Sequence, residues 1–214
     1  MQSSLNRSDP LKDAAASTAA DESAGEPENL RLVAMMKSDP GNAVELLYAR
    51  FSNDVNRLVW RLLGADPDHS DIVQQVFFKV MRHGHRLREP KKLRAWVQSI
   101  TVNTVYEELR KRDVRRLFVR QWPVGVHPDL VHDVEARDVV LRVRSLIERL
   151  PAKERVVFVL HFVEERTLNE VAELCGYSVA TAKRRLKAAN RRFESLLTKN
   201  PDLARLLTER ESKP

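Results

Sequence analysis

The sequence predicts an all-α protein: two small helical domains joined by a flexible linker. Three observations predict it. Glycine is scarce, 6 in 214 residues, while 31% of residues are charged and 43% hydrophobic, a profile that favours helices over a turn-rich β fold. Apolar residues recur at three- and four-residue steps over two long stretches, the signature of buried helix faces. That periodicity lapses across residues 113–137, which hold Pro123, Gly125 and Pro128 and read as a linker.

The elements follow in order. Residues 1–29 hold two bases against six acids and almost no large apolar side chains. Such a stretch buries too little to offset chain entropy and is expected to be disordered. The first structured block spans residues 30–112. Val44, Leu47, Phe51, Val55, Leu58 and Leu62 form one face of a long helix, closed by Gly64. After the turn GADPDHS, a second helix is expected with Ser70 or Asp71 as its N-cap and Ile72, Val73, Val76, Phe77, Val80 and Met81 buried. A third helix follows Pro90 and buries Leu93, Trp96, Val97, Ile100, Val105 and Leu109. Fully extended at about 3.3 Å per residue, the linker reaches about 80 Å, more than two turns of B-DNA at roughly 34 Å each.

The second block spans residues 138–198. VVLRVRSLIERL is helical, and Pro151 opens the next helix, since proline suits a first turn. Thr167 with Glu170 three residues on makes a capping box for a third helix. Gly176 and a basic helix follow. The tail, 199–214, holds one more short amphipathic pattern.

Net charge is +7 overall; residues 1–29 contribute −4, so the remainder carries +11. A basic body points to a polyanion, nucleic acid first and an anionic membrane surface second. One cysteine, Cys175, excludes an intramolecular disulfide and fits a reducing compartment. No apolar run approaches the roughly 20 residues of a membrane span, and no secretory h-region opens the chain. The expected location is the cytoplasm. No phosphate-cradling Gly-rich loop, metal-ligand cluster or nucleophile motif is present, so neither an enzyme nor a cofactor is expected. His83 and His85 lack further ligands and read as surface polar residues.

Leu168 to Arg185 fits the helix-turn-helix template. Ala172 is small where two helices cross closely, and Gly176 occupies a turn whose positive φ is cheap only for glycine. Val171, Cys175, Tyr177, Val179, Ala182 and Leu186 are expected to form the small core. The recognition helix then begins near Ser178. Ser178, Ala180, Thr181 and Arg184, with Lys183 nearby, would face base edges. Arg185, Lys187, Arg191 and Arg192 would meet phosphates. Six bases and no acid lie between Thr181 and Arg192.

In the first block, a helical wheel groups Asp71, Gln75, Lys79 and Arg82, flanked by Gln74, with Phe78 near the centre of this polar face. Phe78 is either a protein–protein anchor or packing under a neighbouring element. Further along, Arg82, Arg86, Arg88, Lys91, Lys92 and Arg94 precede Trp96 and Tyr106, and Arg110, Lys111 and Arg112 close the helix. Basic grooves interleaved with aromatics suit single-stranded DNA, whose bases stack on flat side chains; a core role for Trp96 stands beside that reading.

DIVQQVFFKVMRH followed by LRAWVQSITVNTVYEELRKR resembles region 2 of a bacterial sigma factor. LPAKERVVFVLHFVEERTLNEVAELCGYSVATAKRRLKAANRRF resembles region 4. The ordered pair, with little between, resembles the extracytoplasmic-function (ECF) group of the sigma-70 family. The resemblance implies an RNA polymerase subunit that directs promoter recognition and transcription initiation. It implies docking of Asp71, Gln74, Gln75, Phe78 and Arg82 on the polymerase β′ clamp helices, with the β subunit as a further contact. It implies capture of the melted non-template strand at the minus-ten element by Arg94, Trp96, Asn103, Arg110, Lys111 and Arg112. Ser178, Thr181, Lys183, Arg184, Arg185 and Lys187 would enter the major groove of the minus-thirty-five element, and an anti-sigma protein would hold the factor inactive. The chain departs from the family pattern at Gln75 (usually Glu), Met81 (usually aromatic) and Thr101-Val102 (usually Ala-Arg). The alternative reading of the same residues is a helix-turn-helix regulator that does not engage polymerase.

Overall fold

A computed structural model of the protein describes residues 26–116 and 134–211. Among the described residues there are nine α-helices, two short 3-10 turns and no strand. The first block comprises α1 (Glu26–Ser38), α2 (Pro40–Leu63), α3 (His69–His83) and α4 (Leu93–Arg116), with 3-10 turns at Gly84–Arg86 and Pro90–Lys92 before α4. The second comprises α5 (Val134–Ile147), α6 (Ala152–Phe162), α7 (Leu168–Cys175), α8 (Val179–Thr198) and α9 (Pro201–Glu211).

α2 is the longest stripe of the first core. Asp39 caps it, its carboxylate accepting from the Asn42 backbone N–H at 3.3 Å, and Pro40 occupies the first turn. Leu47, Phe51, Val55, Leu58 and Leu62 are buried at helical spacing; Val44, expected on that stripe, is 36% exposed and Ala43 takes its place. α1 lies across α2, burying Leu32, Val33 and Met36. The helix begins at Glu26, inside the stretch expected to be disordered. Composition favoured disorder there, but docking three apolar side chains onto α2 supplies the burial that a free peptide lacks. Residues 1–25 of that stretch lie outside the described residues.

α3 starts at His69, one or two residues before the expected caps. Asp68 occupies the cap position without a side-chain bond to the helix; its carboxylate instead accepts from Arg112 Nη2 at 3.1 Å. α4 runs through Arg116 and α5 starts at Val134, so helix extends into both ends of the segment expected as linker; residues 117–133 lie outside the described residues. The tail pattern forms α9, whose Leu203 is buried with Val139 and Leu146 of α5, against Phe193, Leu196 and Leu197 of α8.

The two blocks do not hang apart. α4 packs against α2 and α3 and also against α6 and α7, and one continuous apolar cluster runs through both blocks. Polar contacts line this seam. Ser99 Oγ donates to Leu174 O at 3.1 Å, and Asp113 accepts from the Ala152 N–H at 2.9 Å, capping α6. Arg61 Nη1 donates to Glu164 at 2.7 Å and to Val163 O at 3.3 Å. The carbonyl end of α2 takes two arginines from the second block. Arg144 donates to Trp60 O at 2.7 Å with its guanidinium 4.3 Å from the Trp60 ring centroid. Arg155 donates to Leu63 O at 2.8 Å. Arg155 is buried, 3% exposed. The helix's unpaired carbonyls carry negative partial charge, so a buried guanidinium is partnered there rather than stranded. Gly64 makes the approach possible: a Cβ at that position would stand 2.8 Å from Glu148 Oε1 and 2.9 Å from Arg144.

α7 carries the predicted capping box: Thr167 Oγ1 accepts from the Glu170 N–H at 3.3 Å and Glu170 Oε2 accepts from the Thr167 N–H at 2.8 Å. Gly176 ends α7 with φ 65° and ψ 35°, and no atom stands within 4 Å of where its Cβ would be. The demand for glycine there is purely one of backbone conformation. Gly176→Ala should therefore lower stability by about 1 kcal/mol, and Gly176→Asn, which tolerates the left-handed region, by less; urea unfolding of the two variants measures the difference.

Candidate nucleic-acid interface

The recognition helix is defined at its start by Ser178, whose Oγ accepts from the Thr181 N–H at 3.2 Å and donates to Thr181 Oγ1 at 2.9 Å. This fixes the first turn and satisfies a donor that the helix cannot pair. From there α8 buries Ala182, Leu186 and Ala189, which turns Ala180, Lys183, Arg184, Lys187 and Arg191 outward, all exposed. Ser178 is exposed and Thr181 half-buried. The result is a helix face of cations with a small-residue N-terminal turn, shaped and charged for a DNA groove.

Two bases behave otherwise. Arg185 is half-buried, its guanidinium 3.7 Å from the Tyr177 ring centroid, a cation–π pairing that ties α8 to the turn. Arg192 pairs with Glu154 of α6 at 2.7 Å. Val179, expected in the core of the motif, is 46% exposed on the first turn of α8, and Leu174 is buried instead at 6%. Cys175 is buried, and burial pushes its thiol up to about 12, so it packs as a small hydrophobe.

In the first block, Asn103 is exposed and its Nδ2 donates to Ser99 O at 2.9 Å. Arg110 and Lys111 are exposed, and Trp96 is half-buried against the core. At 100° per residue, Trp96, Asn103 and Arg110 share one side of α4. Arg94 stands elsewhere, bonded to Asp54 at 2.6 Å. Arg112 is enclosed: it bonds Asp66 through both terminal nitrogens, Asp68 at 3.1 Å and Glu108 at 3.0 Å. Thr101 and Val102, at the family's usual Ala-Arg positions, are 0% and 1% exposed.

The outer face of α3 presents Asp71, Gln74, Gln75, Phe78 and Arg82, all exposed. Phe78 is 65% exposed, so packing under a neighbouring element is not its place. Tyr48, which the sequence reading passed over, is 51% exposed on α2 and packs at a tilt against Phe77, with ring centroids 5.0 Å apart and an interplanar angle of 51°. Its signal was present as an aromatic one residue off the buried stripe. Burial foremost, with Arg86 and Arg82 nearby, holds the His83 imidazole below its ordinary pKa. Among the described residues no group of three His, Cys, Asp or Glu side chains is placed to hold a metal ion, and no helix is long and apolar enough to cross a membrane.

Comparison with known proteins agrees with this architecture. The family model described as Sigma-70 region 2 matches residues 47–115, and that described as Sigma-70, region 4 matches residues 141–192. The chain is 26% identical over 146 residues to the RNA polymerase sigma factor SigV of Bacillus subtilis, covering 68% of this chain and 86% of SigV. It is 24% identical over 150 residues to the ECF RNA polymerase sigma factor SigW of the same organism, covering 64% and 79%. Among solved structures it is similar to CnrH in complex with the cytosolic domain of CnrY, with TM-score 0.53 and 25% identity over 78% of this chain and 96% of that one. The fold is also that of sigma factor RpoE in complex with the anti-sigma factor NepR from Bartonella quintana, with TM-score 0.55 and 21% identity over 72% and 96%. Two matched regions in the order 2 then 4, on an all-helical chain with a capped basic recognition helix, place the protein in the ECF group of the sigma-70 family of RNA polymerase sigma factors.

Proposed function

We propose that the chain binds core RNA polymerase, directs it to promoters, and does no chemistry of its own. The observation that carries this reading is Phe78, 65% exposed at the centre of the polar outer face of α3. A regulator working without polymerase needs α8 but has no use for a solvent-facing aromatic on a second, separate helix face. Aromatic anchors ringed by polar residues are what protein interfaces use. In this reading Asp71, Gln74, Gln75, Phe78 and Arg82 meet the β′ clamp helices, and the second block meets the β subunit.

Residues 30–112 then act as region 2 and residues 138–198 as region 4. Ser178, Thr181, Lys183, Arg184 and Lys187 address the minus-thirty-five element, with Arg185 braced on Tyr177 behind them. Trp96, Asn103, Arg110 and Lys111 address the melted minus-ten strand, while Arg94 and Arg112, bonded to carboxylates, position that helix. The protein acts in the cytoplasm, where polymerase acts. An anti-sigma protein is proposed as a partner that holds it inactive; RpoE of Bartonella quintana is found in complex with the anti-sigma factor NepR.

Run-off transcription with bacterial core polymerase and a pool of genomic fragments tests the reading; discrete start sites that depend on the added chain are the expected result, and their absence sinks it. Phe78→Ala should weaken polymerase affinity by about 2 kcal/mol with no loss of thermal stability. In DNA-binding titrations, Arg184→Ala should cost about 1–3 kcal/mol on the specific upstream element and relax its sequence preference. Arg191→Ala should weaken all sequences alike and lower the salt slope by about 1.

A further inference from the structure

We infer that Val179 is a base-reading residue: its methyls, at the leading edge of the recognition helix, contact the C5 methyl of a thymine in the upstream element. The inference rests on the reading of α8 as a major-groove helix and adds what its first turn selects. Its starting point is an exposure that packing does not explain. Val179 is 46% exposed, although Ala182, Leu186 and Ala189 of the same helix are buried. Stability gives no reason for the residue either, because valine is a weaker helix former than alanine. At 100° per residue, Val179 and Lys183 lie about 40° apart. Ala180, Lys187, Arg191 and Arg184 follow within about the next 100°, and all of these side chains are exposed. Val179 therefore belongs to the cationic face.

The leading turn of that face is apolar. Ser178 has one hydroxyl proton, and it is given to Thr181 Oγ1 at 2.9 Å. The same Ser178 oxygen accepts from the Thr181 N–H at 3.2 Å, and Thr181 itself is half-buried. Both hydroxyls are engaged in closing the turn. Between them project Val179 and Ala180, whose side chains end only in methyls. Helical Cα–Cβ bonds tilt toward the N-terminus, and a recognition helix meets base edges with its N-terminal residues, so these methyls lead the cations into the groove. The stiff χ1 of valine holds its two methyls in place before binding, and little side-chain freedom is lost on contact. Set against an amino or carbonyl group, they would strip it of water and return no hydrogen bond. The apolar group that base pairs present in the major groove is the thymine methyl. Lys183 and Arg184, one turn further along, are left to pair with polar edges.

The test uses holoenzyme, the full chain with core polymerase, and a promoter recovered from the run-off pool. Each thymine of its upstream element, on either strand, is replaced singly by deoxyuridine, which keeps every base-pair hydrogen bond and removes the methyl. Affinity is read by competition against the unmodified duplex. With the wild-type chain, one replacement should weaken binding about fourfold, what burial of one methyl-sized group is worth. Val179→Ala should lose a similar factor on the thymine duplex and bind the thymine and uracil forms alike. Its melting temperature should be unchanged or slightly higher, which separates contact from folding. If no thymine is sensitive to loss of its methyl, the inference is overturned, as it is by a sensitivity that survives Val179→Ala in full. If core polymerase adds nothing but the chain alone selects duplexes from the pool, the same scan on those duplexes decides the inference while the sigma-factor reading falls. Selection of no sequence in either form overturns both.

Discussion

Everything in this structure turns on α4 being packed from both sides. One side completes the first block with α2 and α3. The other receives α6 and α7, so the hydrophobic core of the helix-turn-helix is continuous with that of the preceding domain. A bundle of three or four short helices offers little apolar burial by itself. Sharing a central helix gives both blocks a larger core than either could form alone, and it sets where every other functional face points.

That sharing also decides what the arginines do. Basic residues are plentiful in this chain, and a nucleic-acid protein needs them outward. Yet Arg155 and Arg144 close the carbonyl end of α2, Arg112 is ringed by Asp66, Asp68 and Glu108, and Arg94 is bonded to Asp54. A guanidinium is suited to such tasks because its planar fork satisfies several acceptors at once and it stays charged when buried. Among the cations left exposed are Lys183, Arg184, Lys187 and Arg191 on α8 and Arg110 and Lys111 on α4.

The helix-turn-helix is locally specified. Thr167 and Glu170 fix one helix start, Ser178 the next, and Gly176 the turn between them, with a φ that other residues adopt at a cost. Each device acts over three or four residues, so the motif was legible before any fold was known. The buried stripe Ala182, Leu186 and Ala189 then settles which cations face out. Val179 escaped that logic. At the first position of α8 it follows the helical pattern in sequence but is 46% exposed.

The sequence by itself determined the all-helical class, the capped motif, the basic recognition face and the polar face of α3 around Phe78. These depend on spacing within one helix, where 3.6 residues per turn relates positions only a few residues apart. Only the tertiary structure decided that α1 begins at Glu26, that Asp68 serves Arg112 rather than a helix end, and that the two blocks share a core. Those outcomes depend on partners distant in the chain: Arg155 finds Leu63, 92 residues away, and Ser99 finds Leu174, 75 away. No local period encodes such pairs, because what selects them is the burial and hydrogen bonding available once the helices have met.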